Sequence, residues 1–330
     1  MQVLERKKQF GKLNTRTSLA IDRINDRALW GAREYFRQHG FIWIDVPTIT
    51  NITGACENVD TLYALDHFGK EAFLAQTGQL YLETKIPGHK RVWTIIQSNR
   101  AEARTDNRHL NQFQLVEFEE QGDFAQLLTR IQAVVQAMFV GALTRKAELA
   151  ALGRSTEELE RWATEPFGHI TYTKAIELLQ GTPLAKAWGD DLGHEEEQFI
   201  VRALGWKPVF ITHYPTEIKF FNMRQNPSDP SVVNSADLIL PYAGESVGSA
   251  ERENDHAKLV ERLKNSQMYK TLSARGKTLE DFAHYLDFIK EHPVLHSGCG
   301  IGFARVCQAI LGLHDIREAT PYPLTSETLY

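Results

Sequence analysis

The chain has 330 residues, 42% hydrophobic and 24% charged, which is enough to bury a full core in one large or two smaller globular domains. Its formal net charge of -5 excludes a generally cationic, nucleic-acid-coating surface, though not a local basic patch. Cys56, Cys299 and Cys307 are too few and wrongly spaced for a disulfide framework or a zinc site. The N-terminus lacks the apolar centre of a signal peptide, and no uninterrupted apolar run of membrane length is present. The expectation is a cytoplasmic protein with reduced thiols and no membrane partner.

Taken in chain order, residues 15–39 place Leu19, Ile24, Ala28, Ala32, Tyr35 and Phe36 at helical spacing before Gly40. Residues 41–46 predict a strand, ended by Pro47. A loop with a short strand follows at 51–70 and holds Glu57 and Asp60. Residues 72–76 predict a strand that turns through Thr77 and Gly78 into a helix near Gln79. Residues 92–97 and 111–120 are strand-like and flank a charge-rich loop at 103–110, the pattern of a long antiparallel hairpin. Phe124, Leu127, Leu128, Ile131, Val135, Met138 and Phe139 then share one helical face. Residues 144–165 read as solvated helix, and 144–205 as a helical insertion. Further strands are expected at 209–212, 220–223 and 235–241, with helices at 251–265 and 278–291. Hairpin-joined strands with helices grouped around them predict an α+β fold with an antiparallel sheet, not a doubly wound one.

Three stretches carry residues suited to chemistry. On the hairpin, Arg100 and Glu102 are two apart and share a face, with Arg108 and His109 in the loop and Phe113 on the return strand. An arginine fork matches phosphate, a carboxylate accepts an amine hydrogen, and a phenyl ring stacks on a base. The same hairpin could equally be a solvated one with surface ion pairs. Asp237 and Glu245 close the two ends of an apolar strand. They suit Mg²⁺ against phosphates, or else a capping aspartate and a structural glutamate. Gly298, Gly300 and Gly302 alternate just before Arg305. They let the backbone run close to a flat group, or simply make a strand-to-helix turn.

In order and together, these segments resemble the three signature motifs of class II aminoacyl-tRNA synthetases, closest to the asparaginyl branch. The first is the long helix and strand ending at Pro47, the second runs from Asn99 to Glu119, and the third from Gly298 to Arg305. The resemblance implies a class II antiparallel sheet flanked by helices, with a homodimer formed through the first motif. It implies ATP and Mg²⁺ as cofactors, with catalytic roles for Arg100 and Arg305. The ATP-binding set would be Arg100, Glu102, Arg108, His109, Phe113, Asp237, Glu245, Gly302 and Arg305, with Asp237 and Glu245 also holding the metal. The amino-acid pocket would be Glu57, Gln79, Glu83 and Arg252.

Two departures shape the functional expectation. The family's anticodon-reading β-barrel is not seen ahead of the first motif, so the chain is read as a catalytic domain over 1–330 without an anticodon-binding domain. Aspartyl-type enzymes carry a lysine near the position of Leu82, and none stands here. The reading is an adenylate-forming ligase of aspartate or asparagine that works without tRNA. Its most concrete form is an asparagine synthetase-like reaction of aspartate, ATP and ammonia, as in archaeal relatives of similar architecture. Asparagine activation towards a non-tRNA acceptor or a nitrile is the alternative. A non-catalytic amino-acid or nucleotide sensor is the alternative of another class.

Overall fold

The computed structural model describes residues 15–52, 59–103 and 106–328. Helix α1 (Arg16–Gln38) starts where the Thr15 hydroxyl accepts the Ser18 N–H at 3.2 Å, and it buries the stripe Ala20, Ile24, Ala28, Ala32 and Phe36. The strand expected at 41–46 contracts to β1 (Ile42–Trp43), because only these residues find a partner strand. Strands β2 (Ile49–Thr50), β3 (Ala64–His67) and β4 (Lys70–Leu74) make a small sheet in the order β2-β4-β3. Short helices α2 (Gln79–Glu83) and α3 (Ile86–His89) lead into the hairpin β5 (Arg91–Asn99) and β6 (Gln112–Gln121). That hairpin is paired without a break from Arg91↔Glu120 to Asn99↔Gln112.

Helix α4 (Phe124–Leu143) follows a capping box at Asp123 and Gln126. It is long and apolar enough to cross a membrane by length and composition, which departs from the expectation that no such stretch exists. Here Leu127, Ile131, Val135 and Met138 sit at the centre of the protein's own core. Helices α1 and α4 touch backbone to backbone. A Cβ on Gly31 would lie 2.1 Å from the Ala137 carbonyl oxygen, and one on Gly141 equally close to that of Arg27.

The segment read as a helical insertion is not wholly helical. It holds α5 (Lys146–Ala151), α6 (Glu157–Thr164), β7 (Gly168–Thr171), α7 (Tyr172–Leu179) and α8 (His194–Ala203), and β7 joins the main sheet. Leu149, Leu159 and Trp162 on α5 and α6 are buried in the core with α4, so these helices are only half solvated.

The chain continues through β8 (Val209–Thr212), β9 (Gln225–Asn226), β10 (Asp229–Val233), β11 (Ser235–Leu240) and β12 (Gly244–Glu251). Residues 220–223, expected as a strand, make only one bridge, Met223↔Arg252. The half-buried Arg262 guanidinium donates to the carbonyls of Phe220 and Met223, so a cation replaces the ladder there. The helix expected from 251 starts later, as α9 (His256–Asn265), because Glu251 still pairs in the sheet and Asp255 supplies the cap. Helices α10 (Gln267–Ala274) and α11 (Ala283–Glu291), then β13 (His296–Gly302) and α12 (Phe303–Leu311), complete the order.

The main sheet has eight strands in the order β1-β5-β6-β13-β12-β11-β8-β7. Its outermost pairs, β1 with β5 and β7 with β8, are parallel, and the interior pairs are antiparallel. Strand alternation separates its faces. Val116, Phe118, Cys299, Ile301, Val247, Leu238 and Phe210 point into the core against α1, α4 and α12. The opposite face carries the polar residues Glu117, Glu119 and Asp237 between two apolar clusters, one with Val92, Ile96 and Leu115 and one with Val209, Ile211 and Ile239. The α+β antiparallel architecture expected from the hairpin pattern is the one observed.

Candidate active site

The register of the main sheet lines up one row of residues across four strands: Glu117 on β6, Gly300 on β13, Gly248 on β12 and Asp237 on β11. Two carboxylates therefore flank two glycines, and the missing side chains leave a trough between them. The trough is a cavity of about 170 Å³ whose walls include Gln79, Arg100, Phe113, Lys219, Glu245 and Arg305.

The alternate glycines of β13 do different work along it. A Cβ on Gly298 would lie 2.1 Å from the Glu119 carboxylate carbon, so this glycine makes room for a buried acid. Gly300 is open to the cavity, with Glu117 and Gln79 as its nearest neighbours. Gly302 caps α12, and Arg305 stands one turn into that helix. Glu117 orders the start of α2: its carboxylate accepts the Thr77 hydroxyl and, at 2.8 Å, the Gly78 N–H. It thereby fixes the turn from which Gln79 and Glu83 project.

At one end of the trough lies a smaller cavity of about 50 Å³, walled by Arg100, Glu102, Arg108, His109, Phe113, Gly302 and Arg305. Phe113 and Arg305 thus face a common space, with the Glu102 carboxylate at its edge. The Arg100 guanidinium stands 5.3 Å from the Phe113 ring centroid. Asp106 shapes the loop by accepting the N–H groups of Arg108 at 2.8 Å and His109 at 3.0 Å. It also holds the His109 ring at 2.9 Å. Burial opposes the Asp106 charge, but these donors outweigh it and lower its pKa. Arg305 reaches the carbonyl of Glu245 and lies near that of Arg108. Withdrawal from water and the Arg108 charge lower its pKa.

Asp237 is buried and bonded to Lys219 Nζ at 2.7 Å, and that ammonium also sits 3.9 Å from the Tyr214 ring centroid. Burial pushes Asp237 up to about 6; Glu245 adds to the rise and Lys219 opposes it. Two oxygen donors that repel one another across the β11–β12 hairpin fit a hard dication. Among the described residues no group of three or more His, Cys, Asp or Glu could hold a metal unaided, so Mg²⁺ here would need phosphate and water ligands as well.

Beyond Gly298 the chemistry changes. Arg252 has no exposed surface, and its Nη2 lies 2.5 Å from Glu119 Oε1, with Glu83 Oε1 3.6 Å from its Nε. Glu83 also accepts from Asn222 at 3.1 Å and from Tyr285 at 2.7 Å, and faces His296 Nε2 at 3.2 Å. Burial disfavours both carboxylates, yet their pKa values part. The His296, Arg252 and Tyr285 contacts hold Glu83 low, whereas Glu119, with Arg252 as its hydrogen-bonding partner and the Glu83 charge against it, is pushed up to about 7. Burial likewise opposes the His296 charge, but Glu83 and Glu119 outweigh it and raise the pKa.

The structure thus gathers Arg100, Glu102, Arg108, His109, Phe113, Asp237, Glu245, Gly302, Arg305 and Gln79 around connected cavities. Glu83 and Arg252 are not in those walls; they lie in the closed network behind Gly298. Glu57 lies outside the described residues. Lys219, Glu117 and Glu119 escaped the candidate list, as did Glu197 on α8, which accepts the Glu245 N–H at 3.1 Å. Burial and the Glu245 charge push Glu197 up to about 8. One signal was available for it: Glu197 falls in helical phase with the apolar residues Ile200, Val201 and Leu204.

A sheet of this topology, with an arginine-lined cleft on its open face, defines a class II synthetase catalytic core. The sequence profile of the tRNA synthetases class II (D, K and N) matches residues 2–326, and the chain belongs to that family. The asparagine–tRNA ligase of Pyrococcus abyssi is 36% identical over 314 residues, covering 94% of this chain and 69% of its own length. That of Desulforamulus reducens is 37% identical over 307 residues, covering 92% and 68%. Asparaginyl-tRNA synthetase from Pyrococcus horikoshii, complexed with asparaginyl-adenylate, matches with a TM-score of 0.90 at 33% identity, over 98% of this chain and 72% of that one.

Family membership makes this an ATP-dependent amino-acid ligase that forms an aminoacyl-adenylate. The comparisons also correct two expectations, that the ligase works without tRNA in the manner of an asparagine synthetase and that tRNA is no partner. Relatives matching over nine tenths of the chain are tRNA ligases. Those expectations leaned on the β-barrel not seen ahead of the first motif, whereas acyl transfer is the work of the catalytic sheet, and it is the sheet that matches.

Proposed function

We propose that the chain activates asparagine with ATP and transfers it, through asparaginyl-adenylate, to tRNA. The observation that carries the amino-acid choice is the closed network behind Gly298. Glu83 and Glu119 face Arg252 and His296 there, one acid for each base, so the fully ionised network balances without a guest. An aspartate side chain would add an uncompensated negative charge to a site without exposed surface, at a cost of several kcal/mol, whereas a neutral amide adds none. Leu82, where aspartyl-type enzymes place a lysine, is fully buried among apolar residues.

In this reading the asparagine carboxylate attacks the α-phosphorus beside Arg100, and pyrophosphate leaves. Arg305 and Arg108 offset the charge growing on the phosphates, and Phe113 and Arg305 hold the adenine between them. Mg²⁺, when bound by Asp237 and Glu245, shields the phosphate oxygens. No protein nucleophile is needed. The terminal ribose hydroxyl of the tRNA then attacks the acyl carbonyl and AMP departs.

A homodimer belongs to the same proposal. Trp30 on α1 is exposed, and so are Ile42 and Trp43 on β1, an edge strand of the main sheet, which suits contact with a second copy. Charging of total tRNA with labelled asparagine tests the function. Acid-stable label on nucleic acid, with none from labelled aspartate, is the expected result. Adenylate formation from asparagine without any tRNA product would refute the transfer step.

A further inference from the structure

Glu197 lies on α8, far in sequence from the hairpin and from the glycine strand, yet its carboxylate joins the two walls of the nucleotide end. It is 4% exposed, and its Oε2 accepts from Arg108 Nη2 at 3.4 Å and from the Glu245 N–H at 3.1 Å. Arg108 comes from the β5–β6 loop and Glu245 from the start of β12, so one acid spans both. The turn before Glu245 is shaped around it. Gly244 has φ +79, and a Cβ there would lie 2.4 Å from Glu197 Oε2 and 3.3 Å from Arg108 Nη2.

Arg108 is held but not satisfied. Its Nε is buried without a hydrogen-bond partner among the described residues, and its contact to Glu197 is long. A buried donor left this way costs free energy until an acceptor arrives. Acidic residues are common in the first turn of a helix for dipole reasons alone, and Glu195 fits that account, while Glu196 pairs off the helix with Lys186 at 3.7 Å. Glu197 differs because both of its side-chain contacts go to residues of the trough, Arg108 and Glu245.

We propose that Glu197 is a positioning residue for the distal phosphates of ATP, fixing the Arg108 guanidinium and the Glu245 backbone in one register so that cation and carboxylate meet the pyrophosphate end together. The inference rests on the ATP-site reading above. Glu197 touches no substrate in this account; it acts through Arg108 and Glu245.

The test combines ATP–pyrophosphate exchange with calorimetric titration of ATP, using Glu197→Ala, Glu197→Gln, Arg108→Ala and the Glu197→Ala/Arg108→Ala pair. Glu197→Ala is expected to raise the KM and Kd for ATP about ten- to hundredfold, the range of one charge-assisted hydrogen bond, while the KM for asparagine stays within about twofold. Glu197→Gln keeps an acceptor for the Glu245 N–H and is expected to lose only about threefold. Because Glu197 acts partly through Arg108, the double variant should lose less ATP affinity than the two single losses added together.

The proposal is overturned if Glu197→Ala leaves ATP binding unchanged, if its effect adds in full to that of Arg108→Ala, or if asparagine and ATP constants rise equally. Should Glu197→Ala fail to fold, Glu197→Gln decides through its Kd for ATP, an unchanged value counting against the proposal. A wild-type enzyme that binds ATP but shows no asparagine-dependent exchange would defeat the proposed function while leaving the titrations to decide on Glu197.

Discussion

At the nucleotide end of the trough, Arg100, Arg108 and Arg305 line open space, and one of them keeps a buried donor waiting for an acceptor. Behind Gly298, outside the walls of the trough, Arg252 is enclosed by Glu119 and Glu83 with no exposed surface at all. The same residue type does opposite work in the two places. The open end is short of anions and suits a polyanion; the closed end is balanced and suits a neutral guest. Substitutions should therefore cost binding and rate at the first end, and folding stability at the second.

The largest effect is expected from Arg252→Ala. It leaves Glu119 and Glu83 buried without their cation, and should cost about 3–5 kcal/mol of stability, read as a lower urea midpoint with unchanged slope. Arg305→Ala should instead fold normally and lose about 10²–10³ in the exchange rate, as for other removed transition-state charges. A melting temperature equal to wild type separates this result from damage to the fold.

Gly298→Ala is a sharper probe of the boundary between the ends. Its new methyl would collide with the Glu119 carboxylate, so a loss of about 1–3 kcal/mol and weaker asparagine binding are expected, with ATP titrations little changed. Equal weakening for both ligands would mean that the two ends are one energetic unit.

The smallest effect is on pH dependence. His296 carries a raised pKa, so the stability it contributes is full below its ordinary value near 6.5 and is lost as pH rises through the raised one. Glu119, pushed up to about 7, has the same sign: the folded state holds the extra proton, which is surrendered as pH rises. The contribution of this pair to stability should therefore fall from slightly acid to alkaline pH, and His296→Gln should remove its part of that slope in urea titrations.

How much of this was legible in the residues follows from the kind of element each part belongs to. The glycine strand was readable because a period of two places Gly298 with Gly300 and Gly302. Arg100 and Glu102 lie past the end of β5, so no strand period pairs them, and it is the cavity they both line that brings them together. The row Glu117–Gly300–Gly248–Asp237 was not readable, since register between strands distant in sequence is settled by the whole sheet. Lys219 stands just before the stretch 220–223 that was expected to be a strand, and it reaches Asp237 where Arg262 holds that stretch by its carbonyls. Glu197 was masked by two neighbouring glutamates in the same first turn of the helix. The tRNA expectation failed for a different reason: it weighed what was not seen beside the sheet above the chemistry of the sheet itself.

The central claim is that a charge-balanced, sealed network selects a neutral amide. The most direct measurement is the ratio of kcat/KM for asparagine and aspartate in ATP–pyrophosphate exchange, taken at neutral pH with saturating Mg²⁺–ATP. The account predicts robust exchange with asparagine and less than about one hundredth of it with aspartate, the discrimination expected when the wrong ligand leaves a charge unpaired. Exchange with aspartate equal to or greater than that with asparagine would contradict it.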